Sequence, residues 1–296
     1  MIHCSHQLNE QQLQELQQLA QHCKKQDESI PNLYTHILTQ HRAFPSNLFY
    51  YEQQQLIGFL SVYFFYDEAV EVSVLVHPSF RKQGVAKALL HEALPLIQAQ
   101  NYSAVIFSTP EQLHNQWLPS RGYTYLHSEY YMERSDRSPI LRYHQNLSYR
   151  LALTDDIPAL CVLDKHCFPR KHGDLVERFQ HLIDNREYCL ILALHNSTLI
   201  GKAHLRWQEQ GASLSDIAIT PEQQGKGFGT ALITYCINYA LSEGKPLLNL
   251  DVEAHNQKAL NLYIKLGFAT QNACDFWSIS LEQLIGTLDQ SPKVPK

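Results

Sequence analysis

The sequence contains no run of apolar residues that approaches the roughly 20 needed to cross a bilayer. Its first residues also lack the basic region and apolar stretch of a secretory signal peptide. Positive charge is not in excess, because 24 lysines and arginines face 29 aspartates and glutamates and leave a formal net charge of −5. We therefore expect a cytoplasmic protein that has neither a membrane nor a nucleic acid as its partner.

Paired cysteines and clustered metal ligands are missing as well. The seven cysteines are odd in number and scattered, with no Cys-x-x-Cys pair, which argues against a disulfide framework and a zinc knuckle. The 16 histidines include no His-Glu-x-x-His or other tight ligand spacing. We therefore predict reduced thiols and no metal site.

A short segment of the chain occurs twice, 143 residues apart. Pro78 corresponds to Pro221 and Gly84 to Gly227, and the same offset separates two Leu-Ile-Gly tripeptides upstream. A period this long, in a chain of 296 residues, indicates two homologous domains and not a solenoid. The predicted domains are residues 1–134 and 148–296, joined by a linker at 135–147 whose composition is polar.

Both predicted domains show the same order of elements, and the fold class predicted is α/β with a mixed sheet. Helical periodicity comes first, then an antiparallel meander, then a glycine-bearing loop that leads into a helix. Helices are predicted at 8–25, 34–41, 84–98, 112–118, from 154, and at 225–241 and 256–266. Strands are predicted at 48–51, 56–65, 70–76, 104–107, 123–131, 149–153, 188–194, 199–207, 212–219, 247–252 and 268–279.

The repeated loop has the chemistry of a phosphate cradle. A strand that turns into a helix presents unpaired backbone amides at the helix start, where the helix dipole also favours negative charge. Gly225, Gly227 and Gly229 let those amides approach two phosphates without a Cβ clash, and Lys226 or Arg81 could add positive charge. We therefore predict that this loop binds a pyrophosphate.

Two other phosphate-binding motifs fit less well. A Walker loop needs Ser or Thr after Gly-Lys, and here Gly227 follows Lys226. A dinucleotide fingerprint needs a glycine where this chain has Thr230, and its acidic partner about 20 residues downstream, whereas Asp251 lies further away.

The pattern Gln/Arg-x-x-Gly-x-Gly/Ala between a strand and a helix resembles the acetyl-coenzyme A binding motif of the GCN5-related N-acetyltransferases, the GNAT superfamily. The second copy also carries a segment, from Asn256 to Phe268, that looks like the family's other characteristic segment. The resemblance covers nearly the whole chain as two tandem GNAT-like domains. The motif matches at Arg81, Gly84 and Ala86, and at Gln224, Gly227 and Gly229.

The resemblance implies a mixed sheet, flanked by helices and splayed between its fourth and fifth strands, with coenzyme A in the opening. It implies that acetyl-CoA is the cofactor of the second domain, with Arg81, Gly84 and Ala86 as the corresponding set in the first. The implied binding residues are Ile217, Ala218 and Ile219 for the pantetheine arm, Gln224, Gly225, Lys226, Gly227, Phe228, Gly229 and Thr230 for the pyrophosphate, and Asn256 and Tyr263.

The resemblance also implies an activity, which is transfer of an acetyl group to a primary amine by direct attack on the thioester. Tyr263 would protonate the departing thiolate, and a strand amide near Ala218 would polarise the carbonyl. The amine must lose a proton before it attacks. Asp251 is the candidate base, and Asp216 on the preceding strand is its rival.

The first copy departs from the family pattern. Alignment of the two Gly-aromatic pairs places Leu118 where the second copy has Tyr263, and Glu111 where it has Asn256. Leucine cannot donate a proton, so we expect a degenerate first domain, unless Tyr123 or a nearby tyrosine such as Tyr125 takes over.

Several alternatives stay open at this stage. Both domains could sense acyl-CoA or hold a protein partner without chemistry, and the acyl group could be longer than acetyl. The acceptor is a small-molecule or peptide amine that the sequence does not identify. The chain could be a monomer or a homodimer.

Overall fold

The structure, a computed structural model, describes residues 1–141, 146–168 and 174–289. Residues 142–145 of the predicted linker lie outside the described residues. The chain forms two compact units. Unit 1 comprises Met1–Tyr130, Glu253–His255 and the described residues from Asn272 onward, and unit 2 comprises Tyr131–Val252 and Asn256–Gln271.

Unit 1 contains a mixed sheet with the strand order β1-β2-β3-β4-β5-β12-β6. β1 to β4 are antiparallel neighbours, β4 and β5 are parallel, and β12 is antiparallel to β5. Its elements are β1 (Ile2–Ser5), α1 (Glu10–Asp27), α2 (Thr35–Leu38), β2 (Asn47–Glu52), β3 (Gln55–Tyr63), β4 (Ala69–Val76), α3 (Val85–Ala99), β5 (Ala104–Pro110), α4 (Trp117–Ser120), the first part of β6 (Thr124–Arg134), most of β12 (Ala269–Ser280) and α9 (Leu281–Asp289).

Helices cover both faces of this sheet because its strands alternate between two apolar faces. On one face Val72 of β4 belongs to a cluster with Leu89 of α3. On the other, Phe59 of β3 packs in a cluster with Leu16 and Leu19 of α1. The capping box at Asn9, whose side chain accepts a hydrogen bond from the amide of residue 12, fixes where α1 begins.

A buried carboxyl group interrupts the apolar core of unit 1. Glu71 on β4 has no exposed surface, and its two oxygens accept hydrogen bonds from the hydroxyls of Tyr34, at 2.9 Å, and Tyr66, at 3.4 Å. Burial raises the pKa of Glu71 to about 7, the Tyr34 hydroxyl opposes the rise, and the nearby charge of Glu129 adds to it.

This raised pKa predicts that unit 1 loses stability as the pH rises. Because Glu71 binds its proton more tightly in the folded than in the unfolded chain, its contribution is complete below pH 4.5 and is lost as the pH passes through about 7. Between pH 5 and 8 we expect the free energy of unfolding to fall by about 2 to 3 kcal/mol more in the wild type than in Glu71→Gln. Urea unfolding of both proteins at both pH values measures this difference, and equal pH dependence in the two would contradict it.

Unit 2 repeats the same plan, with the strand order β11-β10-β9-β8-β7. The apolar cluster of Leu160, Phe179 and Leu192 lies on its α5 and α6 side, and α7 buries Leu232 and Ile237. Its elements are the end of β6, β7 (Leu147–Leu151), α5 (Ile157–Cys167), α6 (Leu175–Asp184), β8 (Tyr188–His195), β9 (Thr198–Trp207), β10 (Gly211–Ile219), α7 (Phe228–Ser242), most of β11 (Leu247–Glu253), α8 (Gln257–Lys265) and the start of β12.

The sheet of unit 2 splays between its two parallel strands, β10 and β11. They pair at three positions, from Gly211 opposite Leu247 to Ser213 opposite Asn249. The pairing stops there although both strands continue, β10 as far as Ile219. In unit 1 the parallel strands β4 and β5 likewise stop pairing before they end. The predicted α/β class with a splayed mixed sheet is therefore confirmed.

Some features of the fold differ from those predicted. The strand predicted at 268–279 was assigned to the second domain, but most of β12 belongs to unit 1, where it pairs with β5 from Cys274 opposite Pro110 to Ser280 opposite Ala104. The compact units are thus discontinuous in sequence, and the boundaries at 134 and 148 stay a prediction about the repeated segments. β1, α6 and α9 were not predicted. In the part of the chain that the structure describes, no helix is both long and apolar enough to span a membrane.

Candidate functional site

β10 of unit 2 contains a β-bulge where it begins to diverge from β11. Ser215 lies opposite His204 of β9 and Ala218 lies opposite Lys202, so β9 advances by two positions while β10 advances by three. Asp216, inside the irregularity, has a φ of 49°, which is unusual for a residue other than glycine. A bulge of this kind leaves one backbone amide outside the ladder. The irregularity ends at Ala218, near which the amide that polarises the carbonyl is expected from the sequence.

The glycine loop after β10 leads into α7 through Gly227, whose backbone has the left-handed conformation. A short 3₁₀ turn at Pro221–Gln223 follows the strand, Gly225 has a φ of 78°, and Gly227 is the N-cap of α7 with a φ of 83°. No side chain caps the helix at Gly227, so its first amides are available to a ligand. The loop is exposed, and Lys226 donates a hydrogen bond of 2.9 Å to Gln223.

The space around the loop suits a bound pyrophosphate. A Cβ atom added to Gly225 or to Gly227 would meet nothing within 4 Å, so the backbone borders open space at both positions. Phe228, the first residue of α7, is buried and anchors the helix, whereas Gly229 and Thr230 are half-buried in its first turn. Exposed amides at a helix start, together with the helix dipole, form an anion-binding site.

The carbonyl at the end of β10 is fixed by side chains. The Gln224 amide donates a hydrogen bond of 3.0 Å to the carbonyl of Ile219, and the Cys167 thiol lies 3.5 Å from the same oxygen. Gln224, the first residue of the predicted motif, therefore connects the loop to the end of β10 by a hydrogen bond. Ile217 is half-buried, and Ala218 and Ile219 are buried.

Helix α8 lies against the start of α7. Leu262 of α8 would be 4.0 Å from a Cβ added to Gly229, and Tyr263 is its neighbour in sequence. Asn256 is the N-cap of α8, because its side-chain oxygen accepts a hydrogen bond of 3.2 Å from the amide of Ala259. This bond leaves the Asn256 amide nitrogen for another partner.

Tyr263 has the properties of a proton donor. Its side chain is 7% exposed, and its ring contacts that of Phe268 with the centroids 5.9 Å apart. Within the described part of the chain its hydroxyl makes no hydrogen bond. Burial raises the pKa of Tyr263 to about 12, so the hydroxyl stays protonated at neutral pH.

The two candidate bases have different surroundings. Asp251 is exposed on β11, close enough to Tyr131 for its charge to help burial raise the pKa of that hydroxyl. Asp216 is held by the guanidinium of Arg178, and one of its oxygens lies 3.4 Å from Nδ1 of His204. The Asp216 carboxylate therefore faces an ion-pair partner, whereas that of Asp251 is exposed.

Unit 1 keeps the loop but not the bulge. Gly84 is the N-cap of α3 with a φ of 87°, and Lys82 has a φ of 60° at the place that corresponds to Gly225. Ala86 is half-buried in the first turn of α3. The Arg81 guanidinium donates a hydrogen bond of 3.1 Å to the carbonyl of Val76, just as Gln224 donates one to the carbonyl of Ile219 in unit 2. Arg81 also forms an ion pair with Asp27.

The β3–β4 ladder of unit 1 runs without irregularity. Phe59 lies opposite Leu75 and Ser61 opposite Ser73, two positions on each strand. Where β4 and β5 part, the polar groups of the two strands bind the backbone of Asn32. The Ser73 hydroxyl donates a hydrogen bond to the Asn32 carbonyl, and the Asn32 backbone amide donates one to the Ser108 hydroxyl.

The structure also describes the surroundings of the residues that the alignment places at the corresponding positions of unit 1, and of its two alternative tyrosines. Leu118 is buried, and Glu111 accepts a hydrogen bond of 2.9 Å from the hydroxyl of Tyr130. Tyr123 packs against Phe107, and burial raises its pKa to about 12. The hydroxyl of Tyr125 lies 2.8 Å from that of Ser128.

Four residues beside the bulge were not predicted from the sequence. Asp164 of α5, Arg178 of α6, and Lys202 and His204 of β9 form an ionic network with Asp216. A lysine and a histidine two positions apart in an otherwise apolar strand could have indicated it.

Comparisons with known proteins give a family match in both halves of the chain. The family model described as the acetyltransferase (GNAT) family matches residues 12–118 and 155–268. An uncharacterised N-acetyltransferase of Bacillus subtilis is 30% identical over 133 residues, which span 41% of this chain and 89% of that protein.

Two solved structures are similar over most of the chain. A GCN5-related N-acetyltransferase from Sphaerobacter thermophilus has a TM-score of 0.74 at 14% identity and covers 90% of this chain and 92% of its own. A tandem GNAT protein from the clavulanic acid biosynthesis pathway has a TM-score of 0.65 at 16% identity, and the match covers 95% of this chain and 99% of that one. At these identities the likeness establishes the fold alone.

Proposed function

The chain belongs to the acetyltransferase (GNAT) family, and on that premise we propose that unit 2 transfers an acetyl group from acetyl-CoA to a primary amine. The observation that carries the proposal is the combination, in unit 2, of a bulged strand, an uncapped helix start and a buried tyrosine without a hydrogen-bond partner among the described residues. Unit 1 has the helix start, but among its described residues neither the bulge nor a tyrosine at the place of Tyr263.

Backbone groups of unit 2 would hold the coenzyme. The amides at Gly225 and Gly227 and in the first turn of α7 would bind the pyrophosphate, and Ile217 to Ile219 would pair with the pantetheine arm. Asn256 would donate from its amide nitrogen. When bound, acetyl-CoA supplies a thioester whose carbonyl carbon is open to attack by an amine.

The bulge in β10 would polarise the carbonyl. A backbone amide that the ladder with β9 does not use is fixed in place before the reaction, and it stabilises the negative charge that develops on the oxygen. Ile217 follows Asp216 in the bulge, and its amide is the candidate.

Two side chains would transfer protons, Asp251 as the base and Tyr263 as the acid. Asp251 would accept a proton from the ammonium group of the acceptor, directly or through water, so that the neutral nitrogen can form the new C–N bond. Tyr263 would give its proton to the sulfur as the C–S bond breaks, and the phenolate would recover a proton, directly or through water, from the nitrogen, which must lose one as the amide forms. Asp251 would then release its own proton to solvent. Burial keeps the Tyr263 hydroxyl protonated beforehand.

Unit 1 would not catalyse this reaction. Its β3–β4 ladder leaves no extra amide, Leu118 cannot donate a proton, and Asn32 bridges the place where β4 and β5 part. We propose that it supports the fold without turning over the thioester.

Release of coenzyme A in the presence of a panel of primary amines tests the proposal. A thiol reagent reports cleavage of the thioester, and mass spectrometry reports acetylation of the amine. We expect release that requires a primary amine, with no reaction of tertiary amines of similar size, because a tertiary nitrogen bonded to the carbonyl carbon has no remaining proton to lose and cannot form a neutral amide. Binding of acetyl-CoA without turnover across small amines and peptide amines would instead favour an acyl-CoA sensor.

A further inference from the structure

A closed ring of five ionisable side chains lies beneath the bulge of unit 2. Asp216 contacts Arg178, and the other guanidinium nitrogen of Arg178 lies 3.4 Å from Asp164. Asp164 lies 2.7 Å from Nζ of Lys202, which lies 3.2 Å from Nε2 of His204. Nδ1 of His204 lies 3.4 Å from Asp216 and completes the ring.

Three members of the ring are buried, Arg178 and Asp216 are 33% and 16% exposed, and the charges of the ring nearly balance. Lys202, Asp164 and His204 are at most 2% exposed, and the rings of Phe168 and Phe179 lie 5.5 and 5.2 Å from the Lys202 ammonium. Two carboxylates face one guanidinium and one ammonium. Because Lys202 has only donors, it supplies the hydrogen bond to Nε2, which leaves the proton of His204 on Nδ1 for Asp216.

Stability does not explain such a ring. Removal of several charges from water costs about as much as their mutual attraction returns, so a buried network contributes little to folding compared with apolar residues of the same size. Burial lowers the pKa of Lys202, and Asp216 and Asp164 oppose this. The position of the ring is more informative than its energy.

The ring includes the residues on both sides of the bulge. His204 lies opposite Ser215 and Lys202 lies opposite Ala218, which are the two pairs that flank the irregularity, and Asp216 is within it. The ring therefore includes the residue of β10 inside the bulge, and the two residues of β9 that pair with β10 on either side of it. The φ of 49° at Asp216 is a conformation that persists only where its surroundings hold it.

Unit 1 provides an internal comparison. By the 143-residue offset, Phe59 and Ser61 stand where unit 2 has Lys202 and His204. Phe59 packs in an apolar cluster, and Ser61 donates a hydrogen bond of 3.0 Å to Asn47. Unit 1, which lacks the charged pair on β3, is also the unit in which the ladder between β3 and β4 has no bulge.

We propose that the ring positions the bulge of β10, and that Asp216 is the positioning residue that holds the Ile217 amide where it meets the thioester carbonyl. The inference rests on the proposed function and adds a specific role for five residues of unit 2. Asp216 thus acts through the backbone, and its carboxylate is not the base for the amine.

The test compares the binding of acetyl-CoA with that of CoA, which lacks the carbonyl. Asp216→Gly removes the carboxylate and still permits a positive φ. We expect its affinity for acetyl-CoA to fall about five-fold, the value of one hydrogen bond, and its affinity for CoA to stay as in the wild type. The kcat with a primary amine should fall by about 10²-fold, as on loss of one donor to a developing oxyanion.

Two further variants separate positioning from folding. Asp216→Asn still accepts a hydrogen bond from Arg178 and tolerates left-handed backbone, so it should regain part of the lost selectivity for acetyl-CoA. Asp156→Asn removes the ion pair of Arg150 and Asp156, which lies elsewhere in unit 2, and should change neither affinity. If Asp216→Gly does not fold, Arg178→Gln breaks the same ring at a residue whose side chain is 33% exposed.

The outcomes distinguish the inference from the proposed function. If the wild type binds both ligands and the ring variants keep its preference for acetyl-CoA and its kcat, the ring does not position the bulge, while the acetyltransferase proposal stands. If the wild type binds neither ligand, both fail. If acetyl-CoA and CoA lose affinity equally in Asp216→Gly, the ring has only a structural role.

Discussion

Replacing Tyr263 with phenylalanine is expected to lower kcat for acetyl transfer by about 10²- to 10⁴-fold, the usual contribution of a positioned proton donor. The affinity for acetyl-CoA should stay the same, because the ring and its contact with Phe268 are retained. The hydroxyl has no hydrogen bond with the described part of the chain, so its loss leaves no partner unsatisfied and the free energy of unfolding should not change. Steady-state kinetics measures the change in kcat, and thermal unfolding measures the change in stability.

The matched control is Tyr123→Phe in unit 1. Burial raises the pKa of Tyr123 to about 12, as it does for Tyr263, so the two variants remove chemically similar hydroxyls. We expect Tyr123→Phe to retain the kcat of the wild type. A loss of similar size in the control would show that unit 1 takes part in turnover, and an unchanged kcat in Tyr263→Phe would exclude Tyr263 as the proton donor.

Substituting Gly227 by aspartate is expected to reduce the affinity for acetyl-CoA on the order of 10²-fold. Gly227 borders open space at an uncapped helix start, so a carboxylate there would lie close to the bound phosphates. Two unit charges 4 Å apart repel by about 1 kcal/mol in water and by about 4 kcal/mol near a protein surface. Calorimetric titration of acetyl-CoA measures the change.

Gly227→Asn isolates the effect of charge. Asparagine and aspartate have nearly the same shape, and both tolerate the φ of 83° at this position at a cost of about 1 kcal/mol in stability. The asparagine variant should therefore retain much of the affinity that the aspartate variant loses. Equal loss in both would indicate a steric or folding effect and would contradict a phosphate site at Gly227.

The repeated loop was predictable from the sequence because glycine and proline mark it. Pro78 and Pro221 begin the two short turns, and Gly84 and Gly227 have the positive φ that precedes each helix. These features depend on residues adjacent in the chain. The predicted helices began at Gly84 and Gly225, and the structure starts them at Val85 and Phe228.

The placement of β12 was not predictable in the same way. Both copies of the repeat end in a strand with similar β-branched and aromatic content, and either strand satisfies the pattern that a position beside β5 requires. The choice depends on tertiary contacts, such as that of Ser128 with Asp275, which are far apart in sequence. Propensity alone does not distinguish the two pairings.

The ionic ring depends on the tertiary fold as well. Asp164, Arg178 and Asp216 come from two helices and a strand, and no spacing between them suggests a contact. The helix α6 that carries Arg178 had a readable signal, since Asp174 caps it and the apolar Phe179 and Leu182 are at helical spacing. Its prediction would still not have shown what Arg178 contacts.

The most direct test of the central claim, that unit 2 holds the acetyl-transfer centre, is the number of acetyl-CoA molecules bound per chain and their affinity. Calorimetric titration of the wild type, Gly227→Asp and the matched unit 1 variant Gly84→Asp provides both. We predict one site in the wild type, one of unchanged affinity in Gly84→Asp, and one in Gly227→Asp whose affinity is about 10²-fold weaker. An affinity that stays unchanged in Gly227→Asp and falls in Gly84→Asp would assign binding to unit 1 and contradict the proposal.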